Sequence, residues 1–279
     1  MTNATVHHRH PITVIGATGK TGRRVVERLD RLGLGVRAAS RSSDVRFDWT
    51  DRDTWPAALE GAGAVYVTYQ PDLIVPQSAG DMTAFVAAAR DAGVRRLVLL
   101  SGRGEPEAQE CERIVLQSRI SSTVLRCSWF AQNFSEAFLV DGINGGVMVL
   151  PVGAVGEPFI DADDIADAAV AALTERGHDG RVYELTGPRL LTFAEATAAI
   201  GRELGREIAY VEVGLDDYRA GMAEAAVPDE DAEMVIALFG TLFDGRNSSI
   251  TDGVRQILGR GATDFGETVK RAVGEGFWS

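Results

Sequence analysis

The sequence predicts an α/β protein, with a Rossmann-type doubly wound parallel sheet and a smaller, mainly helical C-terminal lobe. Over the first two-thirds of the chain, short apolar runs alternate with amphipathic segments, as in successive βαβ units. The first apolar run, Ile12–Ile15, leads directly into glycines spaced three residues apart and then into a helical pattern. This order of strand, glycine turn and helix is typical of the first unit of a nucleotide-binding sheet.

The strands are predicted where short runs rich in Val, Ile, Leu and Ala are bounded by turn residues. They are Ile12–Ile15, Val36–Ala39, Val45–Phe47, Ala64–Thr68, Arg96–Leu100, Thr123–Leu125 and Val182–Leu185. Between them, apolar residues recur at helical spacing. The helices predicted from this spacing are Thr21–Leu32, Asp81–Ala92 and Glu110–Gln117. Because parallel strands are joined by such crossover helices, the alternation predicts a parallel sheet.

The pattern changes after Leu150. Glycine and proline punctuate two short β segments near residues 151–158, and Asp163–Leu173 has the acidic start of a helix. The later predicted elements are the helices Phe193–Leu204, Asp216–Ala226 and Asp229–Phe243 and the strand Ile208–Val213. We therefore assign residues 1–150, with 176–190 returning to the sheet, to a nucleotide-binding domain. Residues 151–175 and 191–279 are assigned to a smaller lobe that binds substrate or a partner.

Composition excludes several classes of protein. The net charge of −12 disfavours direct binding of nucleic acid, because such proteins present a basic face. No apolar run approaches the roughly 18 residues of a membrane span, and the N-terminus lacks the apolar segment of a secretory signal. Two cysteines, Cys111 and Cys127, do not form a disulfide framework. We expect a cytoplasmic protein with reduced thiols and no membrane contact.

The scarcity of histidine and lysine limits the chemistry further. Three of the four histidines lie in the N-terminal arm and the fourth, His178, in a loop. A Ser-His-Asp site or a histidine metal centre is therefore excluded, and we expect no metal. Neither of the two lysines, Lys20 and Lys270, follows a tyrosine by four residues, so the Tyr-x-x-x-Lys pair of many nucleotide-dependent reductases is missing.

The glycine turn is the strongest motif in the sequence. Glycine permits the tight turn and lets the backbone approach a pyrophosphate at the positive end of the following helix. The residues predicted to bind phosphate are Gly16, Thr18, Gly19, Lys20, Thr21 and Gly22.

The end of the second strand predicts which nucleotide is bound. An NAD site has an acidic residue about 20 residues after the glycine turn, whereas this chain has Ser40-Arg41-Ser42 there. Arg41 suits a 2′-phosphate because a guanidinium group can bind phosphate bidentately. Ser40 is expected to donate a hydrogen bond to the phosphate, and Lys20 or Arg37 to add positive charge. The predicted cofactor is NADP(H). We place Asp48 near the adenine. The residues predicted to lie near the nicotinamide are Thr68, Tyr69, Gln70 and Ser101.

These residues, together with the run TVLRCSWFAQNF at 123–134, resemble the NmrA-like branch of the atypical short-chain dehydrogenase/reductases. Within that branch the chain is most similar to bacterial NAD(P)H:quinone oxidoreductases, with Glu112 matching the Glu-bearing helix of the family pattern. The resemblance covers nearly the whole chain. It departs at two places: the Lys that plant isoflavone-reductase-type relatives carry after the fifth strand is missing, and Ala108 or Gln109 stands where quinone reductases carry a His.

The resemblance implies a reductase but leaves three functions open. The first is NADPH-dependent hydride transfer to a quinone or a similar small, electron-poor aromatic or enone, without metal or flavin. The second is a non-catalytic NADP(H)-binding redox sensor that acts through a protein partner. The third is a tailoring enzyme of aromatic polyketide biosynthesis, for a redox or coupling step. The sequence also leaves open whether the chain forms a homo-oligomer.

A quinone accepts hydride readily, so its site needs positioning and exclusion of water more than a tuned acid. The predicted acceptor pocket consists of Gln70, Trp129, Phe130, Asn133 and Phe134. The catalytic candidates are Tyr69, Asn133 and Ser101, with Asn133 as an amide donor to a carbonyl oxygen and Tyr69 as the phenolic donor. Glu112 is expected to pair with a buried arginine such as Arg126.

Overall fold

The computed structural model describes residues 10–278. Residues 1–9, which include His7 and His8 of the N-terminal arm, and residue 279 lie outside the described part. The chain divides into two compact units. The first comprises the residues up to Cys127 together with Ala162–Leu185 and Asp252–Gly261. The second comprises Ser128–Asp161, Thr186–Thr251 and the residues from Ala262 onward.

The strands of the described chain are β1 (Ile12–Ile15), β2 (Val36–Ser40), β3 (Val45–Arg46), β4 (Ala64–Val67), β5 (Arg96–Gly102), β6 (Ser121–Cys127), β7 (Val147–Leu150), β8 (Arg181–Leu185) and β9 (Ala209–Glu212). The helices are α1 (Lys20–Arg31), α2 (Trp55–Leu59), α3 (Ser78–Asp91), α4 (Pro106–Leu116), α5 (Val140–Asn144), α6 (Ala162–Thr174), α7 (Phe193–Leu204), α8 (Leu215–Glu224), α9 (Asp229–Leu242), α10 (Gly253–Leu258) and α11 (Phe265–Gly274).

The first unit is built on a seven-stranded sheet in the order β3-β2-β1-β4-β5-β6-β8. Every neighbouring pair in it is parallel. The order 3-2-1-4-5-6 is that of the doubly wound dinucleotide-binding sheet, and it reverses between β1 and β4. In such sheets the ligand binds outside the carboxyl ends of the strands at this reversal. The predicted Rossmann-type fold is confirmed.

The packing of the first unit explains why its strands are so apolar. All residues of β1 and β4 are buried, as expected for strands covered by helices on both faces. An aromatic cluster of Phe47, Trp49, Trp55 and Phe85 fills the core beside α2 and α3, with the rings of Phe47 and Trp49 5.2 Å apart.

Helix α6 belongs to the first unit, whereas the domain boundaries drawn from the sequence place it in the smaller lobe. Its inner face is a run of buried Ala, Ile and Leu side chains. On its polar side, Arg28 of α1 binds Asp163 at 2.7 Å and Asp167 at 2.6 Å. The partners of α6 are far away in the sequence, so its own pattern indicates a helix but not the unit against which that helix packs.

The second unit contains the parallel pair β7 and β9 and the helices α5, α7, α8, α9 and α11. Helix α7 begins with a capping box, in which the Thr192 hydroxyl accepts from the Glu195 N–H, and ends at Gly205 with a φ of 68°. The β segments expected at 151–158 are reduced to isolated bridges such as Glu157 with Leu191. The short helices α2 and α5 span five residues each, which is too little for a helical period to emerge from the sequence.

Candidate cofactor and acceptor sites

The glycine turn after β1 is shaped by close approaches that exclude a side chain. Gly16 has a φ of 71°, and a Cβ there would lie 2.1 Å from Thr68 Oγ1 at the end of β4. A Cβ on Gly22 would lie 2.1 Å from the Gly16 carbonyl oxygen. The Gly19 N–H donates to that same carbonyl at 2.9 Å. Glycine at positions 16 and 22 is therefore a steric requirement of the turn, as the sequence pattern predicts.

Helix α1 presents its N-terminus directly after this turn. Its N-cap, Gly19, has no side chain, and the first turn contains no acidic residue. Both features favour an anion at the positive end of the helix. Thr18 and Gly19 are exposed there, whereas Thr21 is buried and its hydroxyl accepts from Tyr66 at 3.0 Å. The side chain of Thr21 thus packs inside the unit, so its predicted role as a phosphate ligand would depend on its backbone N–H.

The loop after β2 presents Arg41 to solvent. Ser40 is buried, and its Oγ accepts from the backbone N–H groups of Ser42 at 3.2 Å and Ser43 at 3.0 Å. Ser40 therefore shapes the loop that carries Arg41, and its role as a phosphate donor stays a prediction. Arg37 donates to the carbonyl oxygens of Ala58 and Glu60, which hold its guanidinium group beside α2.

Asp48 lies beside this loop. Its Oδ1 accepts from the N–H of Thr50 at 3.0 Å and from the Thr50 hydroxyl at 2.8 Å. These hydrogen bonds lower the pKa of Asp48, and the charges of Arg46 and Arg41 lower it further. Asp48 also pairs with Arg46 at 3.7 Å, and its place near the adenine stays a prediction.

The segment after β4 places Tyr69 differently from its predicted role. Its hydroxyl donates to Asp81 Oδ2 at 2.8 Å, and its ring packs on Trp49 with centroids 4.8 Å apart. Burial and the neighbouring Asp81 raise the pKa of Tyr69, which makes the phenol a weaker acid than a free tyrosine. These observations argue against Tyr69 as a proton donor. Gln70 is exposed, and the Thr68 hydroxyl donates to the Ile15 carbonyl at 3.1 Å.

Ser101 is likewise held by a scaffold. It is buried, and its hydroxyl donates to Glu112 Oε1 at 2.6 Å. Arg126 binds both oxygens of Glu112 and reaches Glu184 Oε1 at 2.8 Å. The expected pairing of Glu112 with Arg126 is confirmed. A serine hydroxyl committed to this network holds β5 against α4, so the structure argues against Ser101 as a catalytic hydroxyl.

Glu105 is a candidate functional residue that the sequence analysis does not identify. It is buried at the start of α4, three residues after β5, and its Oε2 atom has no hydrogen-bond partner among the described residues. The only local signal is a glutamate at the N-cap, before Pro106, where Ser, Thr, Asp or Asn is usual. Its side chain makes no capping hydrogen bond.

In the second unit, Trp129 lies in an aromatic cluster with Phe193, Phe239 and Phe243 at centroid distances of 6.1, 5.6 and 5.2 Å. Its backbone N–H donates to Glu157 Oε1 at 3.0 Å. The indole Nε1 is buried and has no partner within the described chain. A buried indole N–H without an acceptor is costly, so it marks a place where a bound carbonyl oxygen would be stabilised.

The other predicted pocket residues of the second unit divide into two kinds. Phe130 and Asn133 are half-buried: Phe130 precedes a short 3-10 helix and Asn133 is its last residue, with the Asn133 N–H donating to the Phe130 carbonyl at 3.0 Å. Phe134 is only 1% exposed and packs against Phe159, Phe193 and Phe265. Phe134 therefore packs in the core of the second unit, and its place in a pocket wall stays a prediction.

A family model described as NAD(P)H-binding matches residues 16–176, more than half of the chain. The chain belongs to the NAD(P)H-dependent reductase family. It is 34% identical to the (4-alkanoyl-5-oxo-2,5-dihydrofuran-3-yl)methyl phosphate reductase of Streptomyces griseus, over 91% of this chain and 95% of that protein. It is 30% identical to the NAD(P)H azoreductase of Xenophilus azovorans, over 93% and 96%.

Among solved structures, this reductase matches the NADPH-dependent quinone oxidoreductase of Escherichia coli with a TM-score of 0.79. The two are 23% identical, and the match covers 94% of this chain and 99% of that one. At this identity the match establishes the fold. Together with the family model, it confirms the predicted resemblance.

The residues of the first unit fit an NAD(P)H molecule. In the glycine turn, a Cβ at position 16 would collide with Thr68 and one at position 22 with Gly16. The N-terminus of α1, which no side chain caps, suits a pyrophosphate. Across residues 10–278, no three His, Cys, Asp or Glu side chains are grouped so that they could hold a metal ion. None of the helices in that range is both long enough and apolar enough to span a membrane.

Proposed function

We propose that this reductase uses NADPH to transfer hydride directly to a quinone or a similar flat, electron-poor aromatic or enone, without metal or flavin. The observation that carries the acceptor class is the Trp129 indole N–H, buried without a partner among three phenylalanine rings. An aromatic carbonyl compound matches both features, because its ring packs on such side chains and its oxygen accepts the hydrogen bond. Asn133 is a second neutral donor from the same segment.

The preference for NADPH over NADH rests on Arg41. It is the exposed cation that the loop after β2 presents, and its charge acts on the neighbouring Asp48. A 2′-phosphate would form charge-assisted hydrogen bonds with its guanidinium group. When bound, NADPH supplies the hydride. The chain's own residues hold the pyrophosphate at Gly16–Gly22, orient the acceptor and exclude water from it.

The names of the relatives support this class of acceptor. One is an azoreductase, one reduces an unsaturated furanone phosphate, and the structural neighbour is a quinone oxidoreductase. The substrate class in each of these names has a conjugated, electron-poor centre that can accept hydride. We also propose a cytoplasmic location, which the two buried, unpaired cysteines support.

The test is steady-state oxidation of NADPH by the purified protein, in the presence of a chelator and without added flavin. The panel comprises a benzoquinone, a naphthoquinone, an azo dye and a simple cyclic enone. We expect turnover that depends on the acceptor and a KM for NADH at least about 10-fold above that for NADPH. NADPH binding without turnover on any acceptor would overturn the proposal and favour the redox sensor, which should bind NADP⁺ and NADPH equally.

A further inference from the structure

The carboxyl group of Glu105 occupies a space that Gly102 leaves open. A Cβ on Gly102, the last residue of β5, would lie 2.2 to 2.4 Å from the carboxyl atoms of Glu105. Glu105 is buried, with only 6% of the residue exposed. Within the described residues, Oε2 has no hydrogen-bond partner. A buried carboxyl oxygen without a partner is uncommon in proteins and needs a reason.

Helix capping does not supply that reason. Glu105 is the N-cap residue of α4, but its side chain accepts no hydrogen bond from the helix. An ion pair does not supply it either. The charged groups that shift its pKa are Asp72 from the loop after β4, and Glu107 and Glu112 from α4, all of them carboxylates. Two arginines of this region are engaged by other carboxylates: Arg126 binds Glu112 and Glu184, and Arg103 pairs with Glu184 at 3.3 Å.

These surroundings keep a proton on Glu105 near neutral pH. Burial is the largest effect, followed by the charge of Asp72, and together they raise the pKa of Glu105 to about 8. Burial also raises the pKa of Asp72 itself. Two acidic groups in one poorly solvated place do not both ionise readily, so one of them holds a proton.

Glu105 follows the carboxyl end of β5 by three residues. Gly102 lies at the carboxyl end of β5, and β5 pairs with β4, whose own carboxyl end carries Thr68 beside the glycine turn. Ligands of doubly wound sheets bind along this edge. The Glu105 carboxyl lies at the Gly102 position, next to Ser101 on β5. The charge of Glu112, which accepts from the Ser101 hydroxyl, contributes to the raised pKa of Glu105.

We propose that Glu105 is the proton donor of this reductase and that Asp72 is the positioning carboxylate that keeps it protonated. This rests on the proposed function. The acceptor gains two electrons and a hydrogen as hydride from NADPH, and the atom that becomes negative takes the proton of Glu105. The carboxyl O–H bond breaks, a new O–H or N–H bond forms on the acceptor, and Glu105 regains its proton from water.

This assignment also defines the range of acceptors. The oxygen of a reduced quinone is a stabilised phenolate that water can protonate, so it gains little from an internal acid. The enolate of a reduced enone and the nitrogen anion of a reduced azo compound are far more basic. A carboxylic acid with a pKa near the working pH accelerates such reductions through general acid catalysis. We therefore assign enones and azo compounds, in addition to quinones, to this site.

The test uses Glu105→Gln, which keeps the size of the side chain but cannot titrate. Its control is Glu110→Gln, an exposed carboxylate of the same helix paired with Arg113. The first readout does not need turnover: infrared spectroscopy of the protein without cofactor should show a protonated carboxyl band that disappears as pH rises through about 8. That band should be missing in Glu105→Gln and retained in Glu110→Gln.

The second readout is the pH profile of kcat/KM. For the wild type and Glu110→Gln with an enone, we expect a fall above about pH 8. Glu105→Gln should be about 100-fold slower with the enone, with no such fall, but within about 10-fold of the wild type with the quinone. Asp72→Asn removes the neighbouring charge, so it should move the fall to lower pH. Unchanged NADPH binding in each variant shows that the fold is retained.

The outcomes separate the two proposals. If the wild type turns over and Glu105→Gln keeps its enone rate and its pH profile, Glu105 is not the donor, while the proposed function stands. If the infrared band of Glu105 is missing at pH 7, the assignment is likewise overturned. If no acceptor in the panel is reduced by the wild type, the proposed function fails and takes this inference with it.

Discussion

The Ser101 hydroxyl donates a 2.6 Å hydrogen bond to Oε1 of Glu112, and this one contact ties the carboxyl end of β5 to the middle of α4. Arg126 of β6 binds the same carboxylate from the other side and continues to Glu184 of β8. Three adjacent strands are thus joined by one buried polar network at the sheet edge where the cofactor is expected.

Glu112→Gln tests this network. The substitution leaves Arg126 without its main counter-charge in a partly buried place, so we expect the free energy of unfolding to fall by about 3 kcal/mol. Denaturant unfolding followed by circular dichroism measures it. Glu110→Gln, on the exposed face of the same helix, should leave the stability unchanged. A Glu112→Gln protein as stable as the wild type would show that the network has no structural importance.

Arg41→Ala tests the choice of cofactor. Loss of a charge-assisted contact with the 2′-phosphate should raise the KM for NADPH about 10- to 100-fold and leave the KM for NADH unchanged. Parallel kinetics with the two nucleotides provide the measurement. Arg31→Ala is the matched control, since Arg31 is an exposed arginine at the end of α1 that pairs with Glu27. An equal effect on both nucleotides would refute the assignment of Arg41.

Trp129→Phe tests the acceptor site. Phenylalanine keeps an aromatic ring in the cluster but removes the indole N–H, so the KM for a quinone should rise about 3- to 10-fold. Trp278→Phe provides a contrast, because the Trp278 Nε1 already donates to the Phe134 carbonyl at 2.8 Å. That variant should lose stability without a change in KM. No change in KM for Trp129→Phe would remove the indole from the acceptor site.

The two thiols should be unreactive in the folded protein. Cys111 and Cys127 are both buried, and burial raises the pKa of each, so neither offers an accessible thiolate at neutral pH. We expect no adduct with a maleimide or an electrophilic quinone under native conditions, and two adducts after unfolding. Intact-mass spectrometry distinguishes these results. Rapid modification of Cys127 in the native protein would contradict its burial.

Glu105 should also affect the pH dependence of stability. An unfolded glutamate titrates near 4.3, whereas burial and Asp72 raise the pKa of Glu105 to about 8. Between these values the folded state holds a proton that the unfolded state releases, so this group lowers the free energy of unfolding as pH rises. Relative to Glu105→Gln, the wild type should lose stability from about pH 5 to about pH 8 and then level off. A constant difference across that range would mean that Glu105 has an ordinary pKa.

Much of the first unit could be predicted from local patterns. The strand β1 and the helix α7 have the predicted bounds, and the other predicted strands of the sheet lie within a few residues of the observed ones. Gly16 and Gly22 could be identified because a turn that tight tolerates no side chain at these positions, whatever lies elsewhere in the chain. The pairing of Glu112 with Arg126 was predictable because a buried carboxylate needs a cation.

The roles of individual polar side chains could not be predicted in the same way. The Tyr69 hydroxyl donates to Asp81, the Thr21 hydroxyl accepts from Tyr66 in the interior, and the Ser101 hydroxyl donates to Glu112. Each of these partners lies on another element, so no local pattern reveals it. The same holds for Phe134, whose burial depends on Phe159, Phe193 and Phe265.

The sequence by itself determined the doubly wound sheet, the phosphate turn and the arginine after β2, because periodicity and glycine geometry act over a few neighbouring residues. Only the tertiary structure decided which polar side chains have hydrogen-bond partners within the described part of the protein and which have none. Packing buried Glu105 beside Asp72 and left the Trp129 indole without an acceptor. Whether a side chain is buried, and whether its polar atoms find partners, depends on residues distant in the chain. A buried polar atom without a partner is available to bind a ligand.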